Sequence, residues 1–113
     1  MEMFFWKKNR LVDQFAKTLA DDLFSYLQPA VVEGYFAKAA GKAAGKLPAA
    51  QIADLERRIK DVVLKVQHFK TQQSLGIYRK ARLHLIFTER LKELGFSEPV
   101  AQEINKIILL QTP

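Results

Sequence analysis

Two histidines, an adjacent pair of aspartates and a lysine among glycines are the residues of this 113-residue chain whose types could do chemistry. His68 and His84 could ligate a metal or move a proton near neutral pH. They stand in different apolar-patterned segments, however, and neither has a carboxylate at metal-ligand spacing. No Glu-x-x-His element occurs, the arrangement that builds carboxylate metal sites in helix bundles. Asp21 and Asp22 are neighbours, so a helix turns them apart, Asp21 outward and Asp22 to the edge of the apolar stripe. A half-buried Asp22 would need a partner, and capping or ion pairing is the reading for both. Gly41 to Lys46 (GKAAGK) has the composition of a phosphate loop, whose backbone N–H groups wrap phosphates. Its glycines are one residue too close, Leu47 stands where a Mg²⁺-binding Ser or Thr is required, and no apolar strand precedes it. The chain has no cysteine, which excludes disulfides, thiol nucleophiles and thiolate zinc sites, and fits a reducing cytoplasm. The expectation is a protein that is not an enzyme, with no catalytic, metal or cofactor-binding residue and no small-molecule substrate.

Charge supplies a second class of candidate. Eighteen Lys and Arg against twelve Asp and Glu leave a net charge of +6, a balance suited to polyanions or acidic partners. Between Asp61 and Glu89 no acid occurs, while Lys65, Lys70, Arg79, Lys80 and Arg82 do, with His68 and His84 in addition. Of these cations only Lys65 has an acid within a helical turn. They are the candidate nucleic-acid contacts, acting on phosphates by counterion release, and Lys38, Lys42 and Lys46 could assist. Tyr78 beside Arg79 could stack on a base, but basic and aromatic residues do not interleave repeatedly. Near the N-terminus Phe4-Phe5-Trp6-Lys7-Lys8 has the aromatic-basic character of a bilayer interface. Lys7 and Lys8 end the apolar run too early for a signal peptide or a spanning helix. With Asp13, Asp21 and Asp22 the helix is nearly neutral, and membrane contact is not the expectation.

The elements that must position these residues are helical. Phe4, Val12, Phe15, Ala16, Leu19, Leu23, Tyr26 and Leu27 form one stripe of an amphipathic helix that Pro29 ends. Trp6 and Phe24 fall on its polar side, where a partner contact would show. Val31, Val32, Tyr35, Phe36, Ala39 and Ala40 give a short second helix, which fades into a flexible Ala/Gly/Lys segment over residues 38–47. From Pro48, Ile52, Leu55, Ile59, Val62, Val66 and Phe69 recur at alternating steps of three and four, the seam of a helix lying along another helix. Asp54 with Arg58, Glu56 with Lys60 and Asp61 with Lys65 are helix-surface pairs in the favourable order. The seam stops at Gln73 and Gly76, where a turn or kink is expected, although one helix through residues 49–94 is the alternative. From Ile77 to Leu94 two apolar faces stand nearly opposite: Leu83, Phe87, Leu91 and Leu94 on one, Tyr78, Ala81 and Leu85 on the other. A helix apolar on both sides is sandwiched between neighbours.

Leu94-Gly95-Phe96 reads as a glycine helix stop, Ser97 as an N-cap, and Val100, Ala101, Ile104, Ile107 and Ile108 as the buried face of a last helix. The stretch Arg90 to Ile104, RLKELGFSEPVAQEI, resembles the DNA-binding helix-turn-helix, with Leu94, Gly95, Phe96 and Ser97 matching its turn and Ile104 a core position. That resemblance implies a second helix reading bases. Here it would offer Glu98, Pro99, Gln102 and Glu103, and Leu91 stands where the motif favours a small residue. The segment reads instead as a glycine-stopped, serine-capped junction.

The sequence therefore predicts a single all-α domain over residues 1–113, a small bundle of four to five helices with a long central helix pair. The surplus apolar surface points to a helical protein-interaction module that self-associates, a homodimer or a complex with another helical protein. Val62, Val66, Phe69, Tyr78, Ala81 and Leu85 are its candidate interface. The second reading is a basic protein that binds nucleic acid through phosphate contacts.

Overall fold

The computed structural model describes residues 2–26, 30, 32–34 and 49–112. Four long helices account for most of them: α1 (Glu2–Tyr26), α2 (Ala49–Gln72), α3 (Ile77–Glu93) and α4 (Glu98–Gln111). Residues 30 and 32–34 are also helical, and no strand occurs among the described residues. The expected all-α bundle is present, drawn out to 53 × 23 × 22 Å. The Ala/Gly/Lys segment at 38–47 lies outside the described residues.

Residues 49–94 are two helices, not one. At the end of α2, Leu75 N–H donates to the Lys70 carbonyl and Ser74 N–H to that of Thr71, both at 3.2 Å, while Leu75 buries its side chain. This is a Schellman stop, and its left-handed residue is Ser74, at φ 50°. Gly76, the expected breaker, instead has φ −77° and serves as the N-cap of α3, in a conformation open to any residue. The end of α3 repeats the motif with the usual residue: Gly95 has φ 108°, Phe96 N–H donates to Leu91 and Gly95 N–H to Lys92. Ser97 then caps α4 by accepting from Val100 N–H, and the Glu33 carboxylate accepts from both Ser97 N–H (2.8 Å) and Ser97 Oγ (3.0 Å). Residues 32–34 are thereby tied to the α3–α4 junction, with Val32 buried.

The most extensive pairing is between α1 and α3, with α4 against α3 and α2, and α2 also touching α1. Contacts between α1 and α3 advance together along both helices: Asn9 with Arg79, Asp13 with Arg82, Asp21 with Arg90. The two helices are therefore parallel. Ala16 and Ala20, fully buried four residues apart on α1, have no bulk to hold α3 away. Around them Val12, Leu19, Leu23, Leu83, Phe87 and Leu91 build a core that Leu55, Ile59, Val66, Phe69, Ile104 and Ile108 complete from α2 and α4. Burial of each such aliphatic or aromatic side chain contributes about 1.5–3 kcal/mol. Phe15 of α1 stacks on Phe69 of α2, ring centroids 3.9 Å apart and 2° from coplanar.

Candidate interaction site

The six residues of the candidate interface divide between inside and outside. Val62, Val66 and Phe69 lie in the chain's own core, so the α2 seam is covered by α1 and α4 and offers nothing to a second chain. Tyr78, Ala81 and Leu85 face outward on α3, Tyr78 at 59% and Leu85 at 60% exposure. At steps of three and four they form one stripe along the helix. Parallel packing brings Trp6 of α1, 69% exposed, to the same end of the molecule. Trp6 and Tyr78 line an open depression of about 450 Å³ with Asn9, Arg10, Asp13 and Arg82. Trp6, placed on the polar side of α1 by its sequence position, thus lies beside the α3 stripe.

The five candidate phosphate contacts also separate. Lys65 is exposed on α2. Arg79 donates from Nε to Asn9 Oδ1 at 3.2 Å. Lys80 is half-buried. Arg82 grips Asp13 with two parallel bonds, Nε to Oδ1 at 2.6 Å and an Nη to Oδ2 at 2.7 Å, and reaches the Tyr78 hydroxyl at 3.4 Å. This carboxylate holds the guanidinium's pKa above its ordinary value. The apparent lack of acids around Arg82 is thus made good from α1, 69 residues earlier. Asp21 does the same for Arg90 at 2.7 Å, while Asp22, the aspartate expected at the edge of the stripe, is exposed. The side of α1 that carries Asp13 and Asp21 is the side that meets α3.

Lys70 is the residue that sequence spacing misplaced. It is 6% exposed, and its ammonium donates to three acceptors: the Thr112 carbonyl at 2.5 Å, Thr112 Oγ1 at 3.0 Å and His84 Nε2 at 2.8 Å. The network fixes one set of protons. Asn105 Oδ1, 2.7 Å from His84 Nδ1, only accepts, so Nδ1 carries the ring proton and Nε2 is free to accept from Lys70. Thr112 Oγ1 passes its own hydrogen to the Ile108 carbonyl at 2.6 Å, and Thr88 Oγ1 donates to the His84 carbonyl. No buried side-chain nitrogen or oxygen among the described residues lacks a partner. Burial, reinforced by the charge of Lys80, pushes the Lys70 ammonium down to about 8. Burial likewise lowers His84, with Lys70 acting in the same direction and the Asn105 bond opposing. A signal was available in the sequence: Ile59, Val63, Val66 and Lys70 share one side of α2 at steps of four and three.

Above this cluster, Leu64, Gln67, His68, Lys70, Thr71 and Thr112 line a depression of about 510 Å³, with Gln67 Nε2 bonded to the Gln111 carbonyl at 2.9 Å. The exposed His68 lies on this rim, apart from the buried His84. No group of three or more His, Asp or Glu side chains that could hold a metal ion occurs among the described residues. Among them, too, no helix is long and apolar enough to cross a membrane. On the α3–α4 junction, the second helix turns Gln102, Glu103 and Lys106 to solvent, an outer face with one cation. No protein-family model, curated protein or solved structure matches this chain.

Proposed function

We propose that the protein is a non-enzymatic helical interaction module that self-associates through the outer face of α3. The observation that carries this reading is the exposed stripe of Tyr78, Ala81 and Leu85, continued by Trp6 across the shared depression. Large apolar groups gathered on one face of a small domain mark a contact surface, and Trp, Tyr and Arg are the side chains that dominate binding energy at such surfaces. The groups best suited to catalysis point the other way. Both ring nitrogens of His84 and all three ammonium hydrogens of Lys70 are committed to neighbours inside the fold. The cysteine-free composition suits a reducing compartment, and the cytoplasm is the setting we propose.

Light scattering over a wide concentration range, with and without a mixed-sequence DNA duplex, tests the reading. The expected result is a dimer that ignores the duplex and that Leu85→Glu converts to monomer without loss of helix content. A monomer at every concentration would overturn it. If the chain binds the duplex at low salt and releases it at high salt, the phosphate-contact reading takes its place.

A further inference from the structure

Among the described residues, the most deeply buried cation has no carboxylate partner. Arg58, Arg82, Arg90 and Lys92 are partly exposed, and each meets an acid. Lys70 is buried, and its three acceptors are neutral. Buried charges are ordinarily paired, and apolar residues at both 70 and 84 would avoid the cost of this one. A charge kept where it costs stability is the mark of a site, and this one borders a cavity. Lys70 and Thr112 are the buried members of the depression of about 510 Å³, and Leu64, Gln67, His68 and Thr71 line it from one face of α2. The stretches of α2, α3 and α4 that converge there, residues 62–88 and 104–112, contain no Asp or Glu. Lys80 is close enough for its charge to act on the Lys70 ammonium. The C-terminus of α2 brings partial negative charge, but α3 starts at Ile77 and sets its positive end beside it. The depression is thus a positively charged recess over one buried cation.

We propose that this depression binds a small organic monocarboxylate, with the anion over Lys70 and the apolar part against Leu64. The site lies apart from the outer face of α3 and does not rest on self-association. One fixed cation calls for one negative charge, which a carboxylate supplies and a phosphate dianion exceeds. The carboxylate takes the place of the Thr112 carbonyl on one ammonium hydrogen, because an ionised acceptor makes the stronger bond. Thr112 is the acceptor most easily displaced, since it stands past the last turn of α4 and its N–H reaches the Leu109 carbonyl at 3.4 Å. Gln67 Nε2 spends one hydrogen on the Gln111 carbonyl and keeps the other, and the exposed His68 and Thr71 add further donors to the lining. Leu64, 54% exposed, gives the apolar part of the ligand a surface to cover. The volume falls within the range of about 300–1,000 Å³ usual for small-ligand cavities.

Benzoate titrated into the natural chain at neutral pH, followed by backbone amide shifts in NMR spectra, tests the proposal. The expected result is saturable shifts centred on Gln67, His68, Thr71 and Thr112, and none with benzamide, which has the same shape without the charge. Lys70→Met should weaken benzoate binding by about tenfold or more, as befits loss of a hydrogen bond to a charged group. Lys65→Met, which removes an exposed lysine of the same helix, should leave it unchanged. Calorimetry near pH 8, where the buried ammonium is partly deprotonated, should show proton uptake on binding, because the anion favours the charged amine. Shifts that never saturate, or that spread over the exposed lysines, would overturn the proposal, and these readings of the natural chain decide it even where Lys70→Met does not fold. Equal binding of benzamide would overturn the role of charge. Tighter binding of inorganic phosphate would overturn the assignment to a single negative charge, and tighter binding of an acetylated dipeptide with a free C-terminus would replace the small acid by a chain end. None of these outcomes bears on the outer face of α3, whose test is the oligomeric state.

Discussion

The two flanks of α3 hold their neighbours by opposite electrostatic means. Toward α1, Arg82 and Arg90 meet Asp13 and Asp21 in pairs that solvent partly reaches. Toward α2 and α4, one ammonium is buried and, among the described residues, is satisfied by a carbonyl, a hydroxyl and a neutral imidazole in place of a carboxylate. The first solution keeps each charge partly hydrated and gains little from each pair. In the second, the full desolvation of a cation is offset only if every hydrogen bond is made. Lys70 sits in the last turn of α2, and Thr112 at the end of α4, so two helix C-termini supply partial negative charge where an acid would otherwise be required. One flank should therefore tolerate loss of a partner, whereas the other should not.

The largest effect is expected at His84. Truncation by His84→Ala leaves the Lys70 ammonium short of an acceptor inside the fold and opens a cavity, which should cost about 3–5 kcal/mol in urea unfolding. Lys70→Met, which removes the charge while keeping the stem, should cost less, about 1–3 kcal/mol for the acceptors left unpaired. Lys70→Met with His84→Leu should recover part of the His84→Ala loss, because both polar partners go together. A His84→Ala cost below 1 kcal/mol would erase the distinction between the flanks.

The same flank should carry the pH dependence. His84 resists protonation in the fold, so as pH falls below the ordinary histidine value of about 6.5 the unfolded chain takes up a proton that the folded chain refuses. Stability then drops with acidification, by up to about 1.4 kcal/mol per pH unit, until the folded state also protonates. For Lys70 the window is alkaline. Between about 8 and its ordinary 10.5 the folded chain gives up a proton that the unfolded chain keeps, so stability rises with pH across that range. Unfolding midpoints measured from pH 5 to 10.5 should show both slopes, and Lys70→Met should abolish the alkaline one.

What the sequence made legible, and what it hid, follows the same division. Periodicity identified the helices, the Leu94-Gly95-Phe96 stop and the Ser97 cap, because each depends on residues within a turn of one another. It identified the α2 seam as apolar but not what covers it, since an apolar stripe fits an intrachain neighbour and a second chain equally well. Val62, Val66 and Phe69 belong to the first kind, Tyr78, Ala81 and Leu85 to the exposed kind. Spacing alone makes Lys70 a surface cation, because its partners lie 14 and 42 residues away, beyond any local pattern. The turn after α2 lies between Gln72 and Gly76, as the end of the seam implies, yet its left-handed residue is Ser74 and not the glycine two positions on. Ser74 belongs to the Schellman stop that accepts on the Lys70 carbonyl, so its strain sits on the buried flank. Ser74→Gly should relieve it and stabilise the chain by about 1 kcal/mol. Gly76→Ala, with no atom within 4 Å of the added carbon, should change stability by less than about 0.5 kcal/mol.

The smallest effect is expected on the α1 flank. Asp13→Asn keeps the shape and one accepting oxygen at Arg82 but removes the charge, and Arg82 and Asp13 are 31% and 25% exposed. Water therefore screens the pair, and its loss should cost about 0.5–1 kcal/mol at low ionic strength. Screening shortens from about 10 Å in 0.1 M salt to about 3 Å in 1 M salt, so the difference between Asp13→Asn and the natural chain should shrink on salt addition. The His84→Ala difference, set inside the fold, should not. A cost at Asp13 that exceeded 2 kcal/mol and ignored salt would mean that the α1 flank depends on its ion pairs as strictly as the other depends on Lys70. The alanines that bring α1 and α3 together would then be too little to hold the parallel pair. Salt-insensitive packing at Ala16 and Ala20 predicts the reverse: the helices stay paired after the charge is gone, and only the register marked by Asp13 and Asp21 loosens.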